Sequence, residues 1–426
     1  MDGTGVVRRP PFGANPTVGE RGSDTQRRIL TAALQVFAEV GYNEARVELI
    51  TKRAGCSRPA FYQYFSSKDD VFWKLAGQLA HEMIDLGDQL GTVTPDGAGV
   101  EALAAWIDDF TALHGAYAPV FAAYQTATRE HREMVAGSSG AADRLGKALL
   151  LGFGWDGRDK VDVAVAGGVV ACLIRCSFYF ESFAGAVERD RLVQGLAHIV
   201  HRLFAGPIDG VNIRRGKVRR GKATAPPPAP MVDDEVRSLR PRGEKTRQQL
   251  LDAGTKVLPA RGYHDARVDD IVKVAGVSHG SFYRYFENKD DFFRVLAEEA
   301  ATQMIDLLDR FPTGGETDKL AAWVDEWFTA YQSNGGVIST WQEMQFVTSP
   351  DVVSFSQHVA ETVVARLVGL MEERGFGDPL VDALFLLALV ERMPYNVLTL
   401  RFATRAAAVT ATVSMVQHGL LGQPSD

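Results

Sequence analysis

The sequence is poor in cysteine: Cys56, Cys172 and Cys176 are the only three in 426 residues. Three cysteines cannot all pair, and their spacing matches no metal-binding motif, so we expect a reduced, cytoplasmic protein. The N-terminus lacks the apolar stretch of a signal peptide. The longest apolar run, Val163–Ile174, is too short to cross a bilayer. These features predict a protein that has no membrane partner.

The sequence also lacks the alternating apolar pattern of β-strands. Apolar residues recur instead at helical spacing, as at Ile29, Ala33 and Phe37, which predicts an all-α fold. The segment Gly152–Gly157 fits the pattern G-x-G-x-x-G, but no strand precedes it and no βαβ unit surrounds it. The scattered histidines show no metal-ligand spacing. We therefore expect no enzyme activity, no metal and no bound cofactor.

Positive charge is scarce overall, since the formal net charge is −7. The charge is unevenly distributed: residues 205–245 carry +5, whereas 71–204 and 292–426 together carry −14. The stretch 206–244 combines arginine and lysine with the run Pro226–Pro230 and has no apolar face, which indicates a linker. Two roles stay open for its basic residues. They form a solubilising tether, or an arm that contacts phosphates or the minor groove.

The sequence contains an internal repeat. Residues 25–90 align without a gap to residues 246–311 at an offset of 221, and 30 of the 66 positions are identical. At an offset of 217 the repeat continues weakly, since Arg175 falls on Arg392 and His201 on His418. A unit of this length is a domain rather than a solenoid repeat. The chain therefore arose by duplication of whole modules.

These observations predict six segments along the chain. They are a flexible N-terminal arm at 1–23, a small domain at 24–70 within the strongly repeated stretch, a helical domain at 71–205, the linker at 206–244, the matching small domain at 245–291 and a second helical domain at 292–426.

A helix-turn-helix is predicted at the centre of each repeat. Two short apolar segments flank Gly55, which tolerates the left-handed conformation that ends a helix, and Ser57 is suited to cap the helix that follows. Phe61 and Phe65 have the spacing of residues that pack inward. In such a motif the second helix enters the major groove of DNA. The same pattern recurs in 268–286.

Both repeats resemble the tetracycline-repressor (TetR) family of regulators. The resemblance rests on a leading helix that ends in Gly-Tyr, followed by Ala-Gly-x-Ser-x-x-x-Phe-Tyr-x-Tyr-Phe-x-x-Lys-Asp. It implies that three N-terminal helices of each module bind DNA and that the later helices form a ligand pocket and a dimer interface. Arg46 and Arg267 stand where the family usually has a threonine or serine cap. One chain would then hold two tandem modules related by a pseudo-twofold axis.

The resemblance also implies which residues contact DNA. Tyr62, Tyr64, Lys68, Tyr283, Tyr285 and Lys289 fall at the family's backbone-contact positions. Arg58, Pro59, Ala60, Gln63, His279, Gly280, Ser281 and Arg284 fall at its base-contact positions, and Arg46, Ser57, Arg267 and Ser278 complete the predicted site. The backbone set is identical between the modules, whereas every base-reading position differs. Because base contacts specify sequence, we hypothesise that the two heads read unlike half-sites of a non-palindromic operator.

An effector site is predicted among the later helices of each module. We expect a small apolar or aromatic effector, and the residues implied are Trp106, Phe110, Phe121, Tyr124, Gln125, Phe178, Trp323, Trp327, Trp341, Gln342 and Tyr395. Arg175 and Arg392 lie in apolar helices near the family's dimer bundle, where an interface ion pair and a ligand contact are both open. The last two helices of each module would pack as an intramolecular pseudo-dimer, and further self-association stays open.

The sequence thus predicts a transcription regulator that binds a double-stranded DNA operator, with repression relieved by an effector. Activation instead of repression stays open. Two alternatives also remain: only one head binds DNA while the other module serves as scaffold or sensor, or the chain is a non-specific architectural DNA-binding protein.

Overall fold

The structure is a computed structural model of the 426-residue chain. It describes residues 20–130, 139–182, 187–208, 241–263, 265–312, 314–344, 350–373, 377–398 and 400–424. Within these ranges the regular structure is entirely helical, as the sequence predicts. Most of the predicted linker and of the N-terminal arm lies outside the described residues.

The described residues of the first module form nine helices. They are α1 (Glu20–Glu44), α2 (Val47–Ala54), α3 (Arg58–Tyr64), α4 (Lys68–Gln89), α5 (Gly97–Ala116), α6 (Ala118–Glu130), α7 (Ser139–Gly152), α8 (Lys160–Ser182) and α9 (Arg189–Ala205). The first helix begins at Glu20, inside the range that the sequence assigns to a flexible arm.

The second module follows the same order, except that one helix stands where the first module has α5 and α6. Its helices are α10 (Pro241–Arg261), α11 (Val268–Ala275), α12 (His279–Tyr285), α13 (Lys289–Asp309), α14 (Thr317–Met344), α15 (Pro350–Glu372), α16 (Pro379–Leu398) and α17 (Arg405–Ser414), the last continued by a π-helical turn at Met415–Leu420. Because α10 begins at Pro241, it includes the last four residues of the predicted linker.

Glycines end the short helices where the sequence predicts. Gly55 follows α2 with φ 61° and Gly276 follows α11 with φ 68°, both in the left-handed region that a Cβ atom disfavours. This sharp end brings the next helix across the first. In each module the chain therefore turns within three residues and forms the helix-turn-helix.

Each helix-turn-helix has its own aromatic core. In the first, Phe61 and Phe65 are buried. In the second, Phe282 contacts Phe286 and Phe292, with ring centroids 5.4 and 5.3 Å apart. The inward packing predicted for these phenylalanines is confirmed. Burial of a phenylalanine side chain contributes about 1.5–3 kcal/mol to stability. These rings therefore fix the position of α3 and α12, the second helix of each helix-turn-helix, which are called the reading helices below.

The structure divides into two compact units, which do not coincide with the two modules. One comprises 1–86 and 112–144, and the other comprises 87–111 and 145–426. The second unit contains α8, α9 and the whole second module. In it, α8 packs on α16 and α17, and α9 packs on α16 and the π-helical turn.

The helix α8 is apolar enough to be considered as a membrane span, but most of it is buried within the protein. Its 160–181 stretch has a mean hydropathy of 1.9, and 72% of the most apolar window is buried. Glycines let the packed helices approach closely: a Cβ on Gly168 would lie 2.9 Å from Sδ of Met393, and one on Gly195 would lie 2.7 Å from Cγ1 of Val381. This is the packing of a core helix.

The later helices keep traces of the duplication that the sequence shows only weakly. Arg189 Nε donates to Asp108 Oδ1 at 2.5 Å, and Arg405 Nε donates to Asp325 Oδ1 at 2.8 Å. The same two ion pairs thus join the fifth helix to the last helix of each module. The offset is 217 at the aspartates and 216 at the arginines.

This shift corrects one alignment made from sequence. His201 does not correspond to His418: its ring contacts the carbonyl of Thr94, and the equivalent contact, to the carbonyl of Gly315, is made by Gln417. A one-residue deletion between the last two helices explains the difference, because a helix pairs residues by position rather than by type.

Candidate nucleic-acid interface

The reading helices α3 and α12 begin at matching serine caps. Ser57 Oγ accepts a hydrogen bond from the Ala60 amide at 3.2 Å, and Ser278 Oγ accepts one from Ser281 at 3.3 Å. The predicted cap at Ser57 is confirmed. Each hydroxyl lies at a helix N-terminus, where backbone N–H groups attract anions.

One tyrosine of each reading helix projects into solvent. Tyr62 and Tyr283 are 53% and 55% exposed, which is unusual for rings of this size. Tyr64 and Tyr285 lie next to them and are half-buried. A phenol that has an anchored ring base and a free hydroxyl is suited to donate to a phosphate. The structure therefore leaves the predicted backbone-contact tyrosines accessible in both modules.

The base-contact positions form the solvent face of each reading helix. Arg58, Pro59 and Gln63 are exposed in α3 and Ala60 is half-buried. In α12, His279, Gly280 and Arg284 are exposed and Ser281 is half-buried. The same face of the two helices thus presents different hydrogen-bonding groups on the same backbone frame.

An ion pair occupies the first position of each reading helix. Arg58 pairs with Glu48 of α2, and His279 pairs with Asp269 of α11. Glu48 and Asp269 are 221 residues apart in the sequence, as are Arg58 and His279. The same contact is therefore made at equivalent positions of the two modules. Neither acid was predicted from the sequence, although each lies in the first turn of the preceding helix.

The lysines at the start of α4 and α13 make contacts with backbone carbonyls that the sequence does not predict. Lys68 Nζ donates to the carbonyls of Tyr42 and Asn43 at 2.8 and 3.2 Å. Lys289 Nζ donates to those of Tyr263 and Ala266 at 2.7 and 3.1 Å. Each ammonium therefore ties the end of the leading helix to the start of the fourth.

Aromatic rings strengthen this lysine contact. The ammonium groups lie 4.5 Å from the ring centroid of Tyr42 and 4.3 Å from that of Tyr263. Burial lowers the pKa of Lys289, with Asp290 and Asp265 opposing that effect. A phosphate contact by Lys68 or Lys289 stays a prediction, and it would add to the carbonyl contacts that these lysines already make.

Arg46 and Arg267 occupy the N-cap positions of α2 and α11, and both are exposed. In the second module Asp270 Oδ2 accepts from the Arg267 amide at 3.1 Å and so caps the helix from its first turn. The equivalent residue in the first module is Leu49, which is 41% exposed and cannot accept. The missing hydroxyl cap is thus replaced in one module only.

The aromatic residues predicted for an effector belong to several separate clusters. Trp106 stacks on Phe110 with centroids 6.1 Å apart, and Trp323 contacts Trp327 at 5.3 Å. The indole N–H groups of Trp323 and Trp327 donate to the carbonyls of Leu307 and Val390 at 2.8 and 2.7 Å. These two tryptophans therefore already have their polar group satisfied within the protein core.

The remaining predicted effector residues lie elsewhere. Phe121 stacks on His114 at 4.4 Å, and Tyr124 contacts Trp73 at 6.3 Å. Phe178 and Tyr395 lie under the guanidinium groups of Arg175 and Arg392, each 4.6 Å from the ring centroid. The side chains of Gln125, Trp341 and Gln342 lie outside the described ones.

A buried ion pair joins α8 to α16. Arg175 Nε donates to Glu391 Oε2 at 2.7 Å, and the Tyr179 hydroxyl donates to the same oxygen at 2.6 Å. Burial by itself would lower the pKa of Arg175, but Glu391 and Tyr179 raise it above its usual value. Arg175 thus makes the interface ion pair that the sequence left open. Its equivalent Arg392 does not, because the residue equivalent to Glu391 is Ile174.

A second ion pair joins α9 to the start of α16. Arg191 Nε and Nη2 donate to Asp378 Oδ2 and Oδ1 at 2.5 and 2.9 Å. In both pairs the arginine belongs to the first module and the acid to the second. Glu391, Asp378 and Arg191 were not predicted from the sequence, although Glu391 is one of only two acids in the apolar helix α16 and is a visible signal.

Comparison with known proteins places these modules in a family. The family model for bacterial regulatory proteins of the tetR family matches residues 29–74 and, separately, 250–296. The transcriptional regulator AcuR of Cereibacter sphaeroides is 41% identical over 96 residues, which cover 22% of this chain and 44% of that protein. The fatty acid metabolism regulator protein of Bacillus subtilis is 39% identical over 61 residues, 14% and 31% of the two chains. The matched regions thus span less than half the length of these two relatives.

Longer but weaker matches extend beyond the DNA-binding helices. The regulator BetI of Escherichia coli is 26% identical over 180 residues, which cover 37% of this chain and 92% of that protein. The crystal structure of a regulatory protein TetR from Rhodobacter sphaeroides is 25% identical, covers 41% of this chain and 98% of its own, and superimposes with a TM-score of 0.35. With two family matches in one sequence, the chain is a member of the tetR family of bacterial regulatory proteins and consists of two tandem modules.

Proposed function

We propose that this regulator reads a non-palindromic operator through two unlike heads. One observation carries the proposal: α3 and α12 share their caps, buried phenylalanines and exposed tyrosines, but differ at each predicted base-reading position. Selection for one symmetric sequence would keep the two reading faces alike. Arg58 and Arg284 are suited to guanine and Gln63 to adenine, each bidentate contact giving about 1–3 kcal/mol of discrimination.

Selection of bound duplexes from a random library, with full-length protein at near-physiological salt, tests this proposal. Two unlike half-sites in the recovered consensus are expected. A palindromic consensus would contradict it and would mean that one kind of head reads DNA while the other module is a scaffold or sensor. Steep salt dependence without any sequence preference would indicate an architectural DNA-binding protein instead.

We further propose that the two modules of one chain pair with each other as the two subunits of a dimer would, and that the protein works in the cytoplasm. Two ion pairs, Arg175 with Glu391 and Arg191 with Asp378, support pairing of unlike modules because each has its base on the first and its acid on the second. In a pair of two first modules, Ile174 would stand where the second module has Glu391, so Arg175 would lose this acidic partner. One chain paired in this way would supply both helix-turn-helix motifs without a second copy of the protein.

Repression relieved by a small apolar or aromatic effector completes the proposal. Its support is the aromatic content of the later helices, including the stacked pair His114 and Phe121. An effector acts only if it favours an arrangement of the protein that binds DNA poorly. Screening small aromatic compounds for release of the selected operator, by electrophoretic mobility, tests this step. No change of affinity with any compound, or tighter binding, would contradict release.

A further inference from the structure

In each module an acid of the preceding helix pairs with the first residue of the reading helix, and this contact can influence which base that residue recognises. Glu48 is 52% exposed and Arg58 is 56% exposed at the side chain. Asp269 and His279 are 74% and 50% exposed. All four side chains are therefore accessible on the face that carries the predicted base-reading residues, and in both modules the contact runs from the first turn of one helix to the first residue of the next.

A purely structural role explains these pairs poorly. Exposed ion pairs contribute about 0.2–1 kcal/mol to stability. The position of the reading helix is already fixed by the caps at Ser57 and Ser278 and by the buried rings of Phe61 and Phe282. An acid at a DNA-facing surface also repels phosphate. Its presence at the same position in both modules therefore needs another reason.

Positioning of the reading side chain provides that reason. Arginine has five N–H donors in a planar fork. The contact with Glu48 uses Nη2, so the opposite side of the fork stays available to a base edge. A fixed guanidinium loses less side-chain entropy when it binds DNA than a freely rotating one. In the second module Asp269 contacts Nε2 of His279, so the ring presents Nδ1 instead of a fork.

We propose that Glu48 and Asp269 are positioning residues that set the base preference of the two heads. Glu48 holds Arg58 so that its free N–H groups meet the two acceptors of a guanine in the major groove. Asp269 holds His279 so that one ring nitrogen meets the base edge, which gives the second head a different preference at the equivalent base pair. This inference rests on the proposed function, since it requires that both heads contact DNA.

The test compares base preferences of full-length variants. The selected operator is made in all four versions of each base pair, and relative affinities are measured for the wild type, Glu48→Gln and Asp269→Asn. We expect Glu48→Gln to reduce discrimination about twofold to fivefold at one base pair of the first half-site and at no other. Asp269→Asn should change one base pair of the other half-site only.

Matched controls separate positioning from general weakening. Glu39 pairs with Arg53 at 2.6 Å between α1 and α2, and Glu299 pairs with Arg247 at 3.3 Å between α13 and α10, so neither pair includes a residue of a reading helix. Glu39→Gln and Glu299→Gln should leave every base preference unchanged. A thermal unfolding curve for each variant shows that the variants are folded.

Three outcomes would overturn the inference. If Glu48→Gln and Asp269→Asn weaken all sequences equally, or change none, the acids do not position the reading side chains. If they behave like the controls, the pairs are surface contacts only. If the wild type itself has no sequence preference, the proposed function fails first, and that result is visible before any variant is compared.

Discussion

Individual side chains show how duplication and divergence have separated two equivalent positions. Arg175 and Arg392 occupy the same place in their modules. The first donates to Glu391, whereas the buried Nε of the second has no hydrogen-bond partner among the described residues. A buried charge is tolerated when it is paired and costs stability when it is not. The two arginines therefore stabilise the protein to different extents.

Substitution of each arginine by methionine should reveal this difference. Arg175→Met removes the arginine partner of the half-buried Glu391, and we expect a loss of about 3 kcal/mol in the free energy of unfolding. Arg392→Met removes an unpaired buried donor and should leave that free energy unchanged or raise it. Urea unfolding of both variants measures the effect. Equal losses would contradict the assignment of the ion pair to Arg175.

Asp382 is the side chain that should make stability depend on pH. Burial raises its pKa from 3.8 to about 8, with Arg202 lowering it and Asp378 raising it. Between these two values the folded chain keeps a proton that the unfolded chain has lost. Stability therefore falls as pH rises from about 4 to 8 and levels off above about 8.

Asp382→Asn should flatten this part of the stability profile, because the amide does not titrate. The free energy of unfolding of the wild type and the variant, measured at several pH values from 5 to 9, checks the sign. The difference between the two proteins should grow with pH. A wild type that becomes more stable over this range relative to the variant would show that Asp382 is ionised in the folded protein.

Helices and their ends form the next scale, and here the two modules are closest. The reading helices have only seven residues each, too few to be stable alone in water. They persist because a serine caps the first turn and a phenylalanine anchors the centre. Gly55 and Gly276, both in the left-handed conformation, end the preceding helix and fix the angle between it and the reading helix.

Loss of a cap should therefore have a measurable cost. Ser57→Ala and Ser278→Ala remove the acceptors for the Ala60 and Ser281 amides, and each should lower the free energy of unfolding by about 1 kcal/mol. Ser333→Ala is the control, since Ser333 lies within α14 and its hydroxyl contacts only the carbonyl of Thr329 at 3.4 Å. Chemical unfolding compares the three, and a similar loss in the control would contradict the cap.

At the scale of the whole molecule, the interface within the second compact unit joins helices of both modules. In both of its ion pairs described above the arginine, in α8 or α9, belongs to the first module, and the acid, Glu391 of α16 or Asp378 just before α16, belongs to the second. Charges across an interface set the choice of partner more than they set affinity. At Arg175 the first module is therefore complementary to the second and not to another copy of itself, because its own equivalent of Glu391 is Ile174.

Cleavage of the linker in the full-length protein should leave its halves associated. A protease site placed at 226–230 allows the chain to be cut after folding, and light scattering with size-exclusion chromatography gives the mass. We expect a one-to-one complex that elutes like the uncut chain. Glu391→Lys should weaken the complex, because it sets a lysine against Arg175. Separate halves, or pairs of like halves, would contradict heterotypic pairing.

Some features of this protein follow from the sequence alone because they depend on neighbours along the chain. Helical periodicity, the glycine turns and the Ser57 cap arise within a few residues. Because residues 246–311 repeat residues 25–90 at an offset of 221, the same features could be predicted for the second helix-turn-helix. The pattern of unlike reading residues on a common frame was visible for the same reason.

Other features depend on contacts between residues far apart in sequence, and only the tertiary structure decided them. The sequence showed Arg175 as a charge in an apolar helix, but its partner Glu391 lies 216 residues away. The sequence predicts a phosphate contact for Lys68, but its hydrogen bonds to the Tyr42 and Asn43 carbonyls are seen only in the fold. The pairing of Arg58 with Glu48 likewise needs two helices to cross. Partners of this kind are fixed by packing, which burial and geometry determine and local sequence does not.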